Sequence, residues 1–349
     1  MNLKYFKEKK IVVTGHTGFK GSWLVSWLHL LGADIMGISL NPTTKPNHFD
    51  YIKKNIKIKD IRLDINNHIK VSQVIKKFKP DIVFHLAAQA LVSKSYVEPR
   101  LTFQTNTLGV FNILNSVKSL KKKCSVIIVT SDKCYKNKEI TRSYKEEDEL
   151  GGDDFYSASK ASSEILIRAF FLSFLKNNDI MRICTARAGN VVGGGDWSDD
   201  RLIPDCIKKW SKQKKVFIRN PHSTRPWQHV LEAISGYLYL AYNLEKKKNL
   251  NGSSFNFSNN DIKNITVRDF LTKFKKNWKN SRWQISNNKI FHENNLLQLN
   301  STKSKKILKW KNKMTLNQTV ELTSKWYLQF YKNKKILTFD QIEYFMKLK

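Results

Sequence analysis

The sequence lacks most of the features that assign a protein quickly. Its four cysteines, Cys124, Cys134, Cys184 and Cys206, form no Cys-x-x-Cys pair and no zinc-like spacing with histidine, which argues against a disulfide framework or a metal site. Three of them fall on or beside apolar runs, as buried free thiols in a reducing compartment do. No apolar stretch approaches the roughly 18 residues of a membrane span, and the opening MNLKYFKEKK has no apolar signal core. A cytoplasmic location is expected. Acids are also scarce: 29 Asp and Glu stand against 62 Lys and Arg, a net charge of +33. That charge brings nucleic acid or an anionic membrane into consideration. The excess is lysine, 51 against 11 arginines, scattered along the chain. No segment joins a basic stripe to a helix-turn-helix, zinc-finger or RNA-binding pattern. A solvated lysine-rich surface is expected, with neither nucleic acid nor membrane as partner. The few arginines carry more information, because lysine replaces a bidentate fork poorly where a phosphate is held.

What is present is a folded chain of 349 residues, 41% hydrophobic and 12% aromatic, long enough for two lobes. Short apolar runs at Lys10–Thr14, Ala33–Ser39, Asp81–Leu86, Ser125–Ser131 and Met181–Arg187 read as strands. Helical patterns cover Phe19–Leu31, His68–Phe78, Leu101–Leu120 and Tyr156–Leu175, and ILTFDQIEYFMKLK reads as a terminal amphipathic helix. This alternation predicts an α/β fold with a parallel sheet covered on both faces. After Arg187 the rhythm breaks into polar connections, GNVVGGGDWSDD and RNPHSTRPWQH, of the kind that lies over a site.

IVVTGHTGFKGSWL places Gly15, Gly18 and Gly21 between a strand and a helix. Glycines there let the backbone approach a pyrophosphate, and the helix N-terminus presents free amides to it. No Gly-Lys-Ser/Thr follows, so a nucleotide triphosphatase loop is disfavoured. The second strand ends without the usual ribose-binding acid, offering Ser39 and Asn41, so NAD and NADP both stay open. Asp64 is a candidate for the adenine amino group, and a surface role competes with it.

Tyr156 and Lys160 stand four apart on one helix face, where the ammonium is expected to lower the phenol pKa. At the end of another strand, VTSDKCY sets Ser131, Asp132 and Lys133 side by side. With the glycine loop, these residues resemble the extended short-chain dehydrogenase/reductase family along nearly the whole chain. The resemblance implies a doubly wound parallel Rossmann sheet over residues 1–188, with 229–260 returning to it. It implies a smaller C-terminal substrate-binding domain made mainly of 189–349. It assigns Ser131, Tyr156 and Lys160 to the catalytic triad. Gly15, His16, Gly18, Phe19, Lys20, Gly21, Asn41, Asp64, Ala87, Ala88, Gln89 and Asn106, with Tyr156 and Lys160, fall to the cofactor. Asn190, Arg201, Arg219 and Arg225 fall to a nucleotide sugar, and no metal is implied.

Within that family, epimerases need only the triad, whereas 4,6-dehydratases add an acid and a base. Asp132-Lys133, with RLIPD and ARAGNVVGGGDW, is similar to the branch acting on CDP-glucose. The implied chemistry is oxidation at C4 with Tyr156 taking the hydroxyl proton, loss of water across C5 and C6, and return of the hydride to C6. Lys133 would take the C5 proton and Asp132 would protonate the leaving hydroxyl. Lys133 must then be neutral and Asp132 protonated when they act. Dehydratases of dTDP- or GDP-linked sugars and 4-epimerases stay open, as does, remotely, a non-catalytic Rossmann protein binding nucleic acid. Helices 101–120 and 156–175 are expected to pair in a homodimer.

Overall fold

The structure is a computed structural model and describes residues 2–177, 179–259, 265–279, 281–286 and 296–349. Its strands are β1 (Lys10–Thr14), β2 (Asp34–Ser39), β3 (Ile58–Arg62), β4 (Ile82–His85), β5 (Cys124–Val129), β6 (Met181–Ala188), β7 (Val191–Val192), β8 (Val216–Ile218), β9 (Gln228–His229), β10 (Ser253–Phe257) and β11 (Trp283–Ile285). The helices are α1 (Phe19–Leu30), α2 (His48–Ile52), α3 (His68–Phe78), α4 (Val92–Val97), α5 (Pro99–Phe103), α6 (Gly109–Lys118), α7 (Phe155–Phe170), α8 (Leu202–Trp210), α9 (Val230–Lys246), α10 (Val267–Asn277), α11 (Leu316–Asn333) and α12 (Thr338–Lys347). Seven strands form one parallel sheet in the order β10-β6-β5-β4-β1-β2-β3, a Rossmann-like arrangement.

Side-chain alternation along the strands divides the core between the two faces of the sheet. Ile11, Val13, Phe84 and Ile127 pack with Trp23 of α1 and Tyr237 of α9. Val12, Val83, Val126 and Ile128 pack with Val71 of α3, Ile113 of α6 and Ile167 of α7. Strands buried on both faces read as continuous apolar runs, which is why β1, β4 and β5 are conspicuous in the sequence. β3 is not. It lies at the sheet edge, and Lys59, Asp60 and Arg62 are exposed, so its pattern carries little apolar signal. The expected helix Leu101–Leu120 is three pieces: α5, a π-helical turn at Gln104–Leu108, and α6. α7 likewise runs into a π turn at Phe171–Leu175.

Beyond β6 the chain builds two small two-stranded sheets, β7 with β9 and β8 with β11. It then returns through α9 to lay β10 parallel to β6. Residue 260, the last of the stretch expected to rejoin the sheet, lies outside the described residues. Trp197 packs against Trp326 and Phe330, and His229 caps α9 by accepting from the Leu231 amide at 3.3 Å, so both serve packing. Among the described residues, no helix is long and apolar enough to cross a membrane.

Candidate active site

β1 pairs with β2 on one side and β4 on the other, and this reversal of strand order opens a crevice at their C-terminal ends. The first turn is held closed there. Thr14 Oγ1 meets His85 Nδ1 at 2.7 Å and accepts the Leu86 and Ala87 amides at 3.2 and 3.1 Å. Burial lowers His85 to about 3, so its ring is neutral. Gly15 has φ +73°, and a Cβ on it would lie 2.7 Å from the Ala87 nitrogen. A Cβ on Gly21 would lie 2.1 Å from the Gly15 carbonyl oxygen. Only glycine fits at either position, and the loop presents backbone with α1 beginning just after Gly18.

The other expected cofactor residues separate. Phe19, Lys20 and Ala88 line the central cavity. His16 is turned inward, its Nε2 2.9 Å from Asp60 and its ring edge-on to Phe49. Asn106 accepts from the Gln89 amide at 2.8 Å and donates to the Gln89 carbonyl and to Ser159. Gln89 spends its own amide group on Leu91 and Thr102. These side chains fix the backbone beside the crevice. Asn41 and Asp64 are exposed, and Asp64 accepts from the Asn66 amide at 2.9 Å.

One cavity of about 1000 Å³ brings together Ser131, Asp132, Lys133, Tyr156 and Lys160. Sheet and helix deliver them separately: β5 ends at Val129, and α7 begins one residue before Tyr156. Ser131 caps a short turn, Asp132–Cys134, accepting the Lys133 amide at 3.3 Å and donating to Asp132 Oδ1 at 3.0 Å. Asp132 is buried and Lys133 half-buried. Burial raises the Asp132 carboxyl above its ordinary value, against the pull of Lys133, Ser131 and Arg225. Burial also pushes Tyr156 up to about 12, although a hydrogen bond with Ser131 works the other way. The expected lowering by Lys160 is therefore overturned. The Lys160 ammonium stands 6.0 Å from the phenol ring centroid, too far to offset the desolvation. Lys160 is itself lowered to about 8 by burial, opposed by Cys134 and Glu164.

Asn190, Arg201, Arg219 and Arg225 line the same cavity. Arg201 pairs with Asp196 at 3.1 Å, and Arg225 donates to the Thr224 carbonyl at 2.9 Å. Among the described residues, no cluster of His, Cys, Asp and Glu could hold a metal ion.

The chain matches the model of the GDP-mannose 4,6-dehydratase family over residues 12–323. The chain belongs to that family. It is an enzyme of the nucleotide-sugar 4,6-dehydratase class, a hydro-lyase. It is 38% identical to a CDP-glucose 4,6-dehydratase of Salmonella typhimurium over 95% of this chain and 94% of that one. It is 26% identical to a UDP-glucose 4-epimerase of Mycoplasma genitalium over 76% of this chain and 81% of that one. Among solved structures it resembles an epimerase from Methanothermobacter thermautotrophicus, with a TM-score of 0.82, 19% identity and 95% of each chain covered. It also resembles a dTDP-glucose 4,6-dehydratase from Bacillus anthracis in complex with NAD, with a TM-score of 0.76, 20% identity, and 93% and 97% covered.

For a member of this dehydratase family the residues present fit a dinucleotide: a glycine turn that admits no Cβ, a helix N-terminus, and the Lys20 amine beside it in the cavity. Lys20 has a pKa lowered to about 7, chiefly by burial and then by Lys160 and Arg201. Sequence reasoning passed over Asp196, which aligns Arg201, and Glu164, which ties α7 to the sheet. The only sequence sign of Glu164 is its place one turn beyond Lys160.

Proposed function

We propose that this dehydratase converts CDP-glucose to CDP-4-keto-6-deoxyglucose and water, using NAD that ends each turnover as it began. The observation carrying this reading is that Asp132 and Lys133 open into one cavity with Ser131, Tyr156 and Lys160. An epimerase has no use for that extra acid and base. The 38% identity to a CDP-glucose dehydratase supports the cytidine nucleotide.

Bound NAD would accept the C4 hydrogen as hydride and give it back at C6. The protein does the rest. Tyr156 takes the proton of the 4-hydroxyl, and Ser131 hydrogen-bonds the same oxygen. Tyr156 is a phenol near neutral pH, so it must first release its own proton to solvent, and Ser131 and the ammonium of Lys160 stabilise the phenolate that then accepts the hydroxyl proton. The ketone acidifies C5, and Lys133 takes that proton. Asp132, its carboxyl raised above the ordinary value by burial, gives its proton to the departing 6-hydroxyl, which leaves as water. Lys133, its proton exchanged with solvent, protonates C5 when hydride reaches C6; Tyr156 gives the proton it gained to solvent and Asp132 takes one back, so the balance is loss of one water. Asn190, Arg201, Arg219 and Arg225 hold the diphosphate and sugar.

We assign residues 1–188, with 229–260, to cofactor binding and 189–349 mainly to the nucleotide sugar. Asn41 leaves the end of β2 without the carboxylate that would repel a 2′-phosphate, so NADP enters the binding assay as a competitor. The exposed apolar residues Leu101, Leu108, Phe111, Ile165, Leu172 and Phe174 support a homodimer through the α5–α6 and α7 helices. The buried free thiols of Cys124, Cys134, Cys184 and Cys206 support a cytoplasmic location.

The test is incubation with CDP-, dTDP-, GDP- and UDP-glucose in deuterated water, with NAD supplied. A 4-keto-6-deoxy product from CDP-glucose, carrying deuterium at C5, is expected. Inversion at C4 without loss of water would replace this reading with an epimerase, and turnover of a different nucleotide would replace the substrate.

A further inference from the structure

Glu164 does not line the cavity, yet it is tied to everything that shapes it. It sits on α7 four residues beyond Lys160, on the same helix face. Its carboxylate is nearly sealed, 2% exposed, and takes five hydrogen bonds. Arg187 donates Nε to Oε1 at 2.9 Å and Nη2 to Oε2 at 2.8 Å. Thr130, the residue before Ser131, donates to Oε1 at 2.5 Å. Thr185 of β6 and Ser254 of β10 donate to Oε2 at 2.9 and 3.2 Å. Arg187 continues to the Tyr135 hydroxyl at 2.8 Å, and Tyr135 donates to Asn256 at 2.8 Å.

We propose that Glu164 is a positioning residue: bonded to Thr130 just beyond β5, to Thr185 and Arg187 of β6 and to Ser254 of β10, it sets where α7 presents Tyr156 and Lys160 to the Ser131–Lys133 turn, and its carboxylate is the anion that keeps Lys160 an ammonium. The inference rests on the dehydratase reading for the meaning of those groups.

The charges facing Lys160 can be counted element by element. Tyr156 and Glu164 lie on its own helix, Lys20 comes from α1, His85 from β4 and Cys134 from the turn after β5. Tyr156, at about 12, is neutral near pH 7, and so is His85, at about 3. The Cys134 thiol is pushed up by burial and is neutral too. Lys20, lowered to about 7, has the same sign as Lys160 when charged. Glu164 is left as the one negative charge among these groups. Burial alone would raise its carboxyl, but the Arg187 charge and the donors of Arg187, Thr130 and Thr185 hold it below its ordinary value. Without it, only the uncharged Cys134 thiol is left against the desolvation of Lys160, and the lysine gives up its proton at lower pH.

Replacing Glu164 alone strands the Arg187 charge, so the decisive variant is E164L/R187M, which removes both charges and keeps most of the volume. Two readouts are taken from pH 6 to 9.5: kcat and KM with CDP-glucose, and the rate at which Lys160 is acetylated in competition with a reference amine, followed by peptide mass spectrometry. The second needs no turnover, so it stays informative if CDP-glucose is the wrong substrate. The expected result is a folded double variant whose Lys160 titrates about one unit lower, with the basic limb of kcat moving the same way and KM changing less than about threefold. A folded double variant with the wild-type Lys160 titration overturns the electrostatic role. T130V keeps both charges and removes one tether at the end of β5. It is expected to lower kcat about three- to tenfold with KM and Lys160 titration unchanged, and wild-type kcat in T130V overturns the positioning role. T130V also answers the positioning question should the double variant not fold.

Discussion

Asp132 and Glu164 are both buried carboxylates, one after β5 and one on α7 against the same sheet, and the fold shifts their pKa values in opposite directions. Burial raises both. Asp132 has one side-chain donor, Ser131, whereas Glu164 has five bonds from four residues, two of them from a guanidinium. Donor number and charge therefore decide the direction of each shift, and depth of burial does not. The one with fewer donors lines the cavity; the one with more ties α7 to the sheet.

The contrast can be broken most sharply at the acid. D132N keeps the shape and removes the transferable proton, so dehydration should fall about a thousandfold in kcat while the protein melts no lower than wild type; 4-keto-6-deoxy product formation and calorimetry check this together. E164Q should do the reverse at first cost: a loss of about 3–5 kcal/mol in urea unfolding, because a buried guanidinium is left without its partner. The two sites should also answer pH with opposite sign. Asp132 has a raised folded pKa, so its contribution to stability is present below the unfolded value and is lost as pH rises through the folded one. Glu164 has a lowered folded pKa, so its contribution is present above the unfolded value and is lost as pH falls through the folded one. Urea unfolding from pH 3 to 8 should therefore show D132N gaining on wild type as pH rises above the unfolded range for Asp. A D132N advantage constant with pH would deny the acid its raised pKa. The smallest effect is expected from S254A, which removes one of the five bonds to Glu164 and should cost about 1 kcal/mol with activity retained. A loss as large as that of E164Q would mean the cluster has no redundancy.

Much of this was legible in the sequence, for physical reasons that vary along the chain. β1 and α1 follow from continuous apolar runs, α3 from its helical periodicity, and Gly15 and Gly21 from a turn that tolerates no side chain. Ser131, Asp132, Lys133, Tyr156 and Lys160 could be picked out because their types are expensive at a strand end or sparse on a helix face. β3 was hidden by its edge position, and β10 by the polar Ser253, Ser254 and Asn256 that it carries into the sheet. The Tyr156 pKa was misjudged because spacing reports which charge is near and is silent about how much water is gone. Glu164 and Arg187 were missed because a helix and a strand 23 residues apart reveal their ion pair only once folded.

The return of the chain to the sheet at β10 has a consequence for how the enzyme is made. β6 gains its outer neighbour, and the Glu164 cluster gains Ser254 and Asn256, only from residues past 250. A polypeptide halted near Ala188 holds the glycine turn and all five reactive side chains, yet its last strand is an unprotected edge with a half-built charge cluster behind it. During synthesis the sheet around the glycine turn must therefore wait for β10 to emerge from the ribosome, and a nascent chain cut short there is matter for proteases rather than a smaller enzyme.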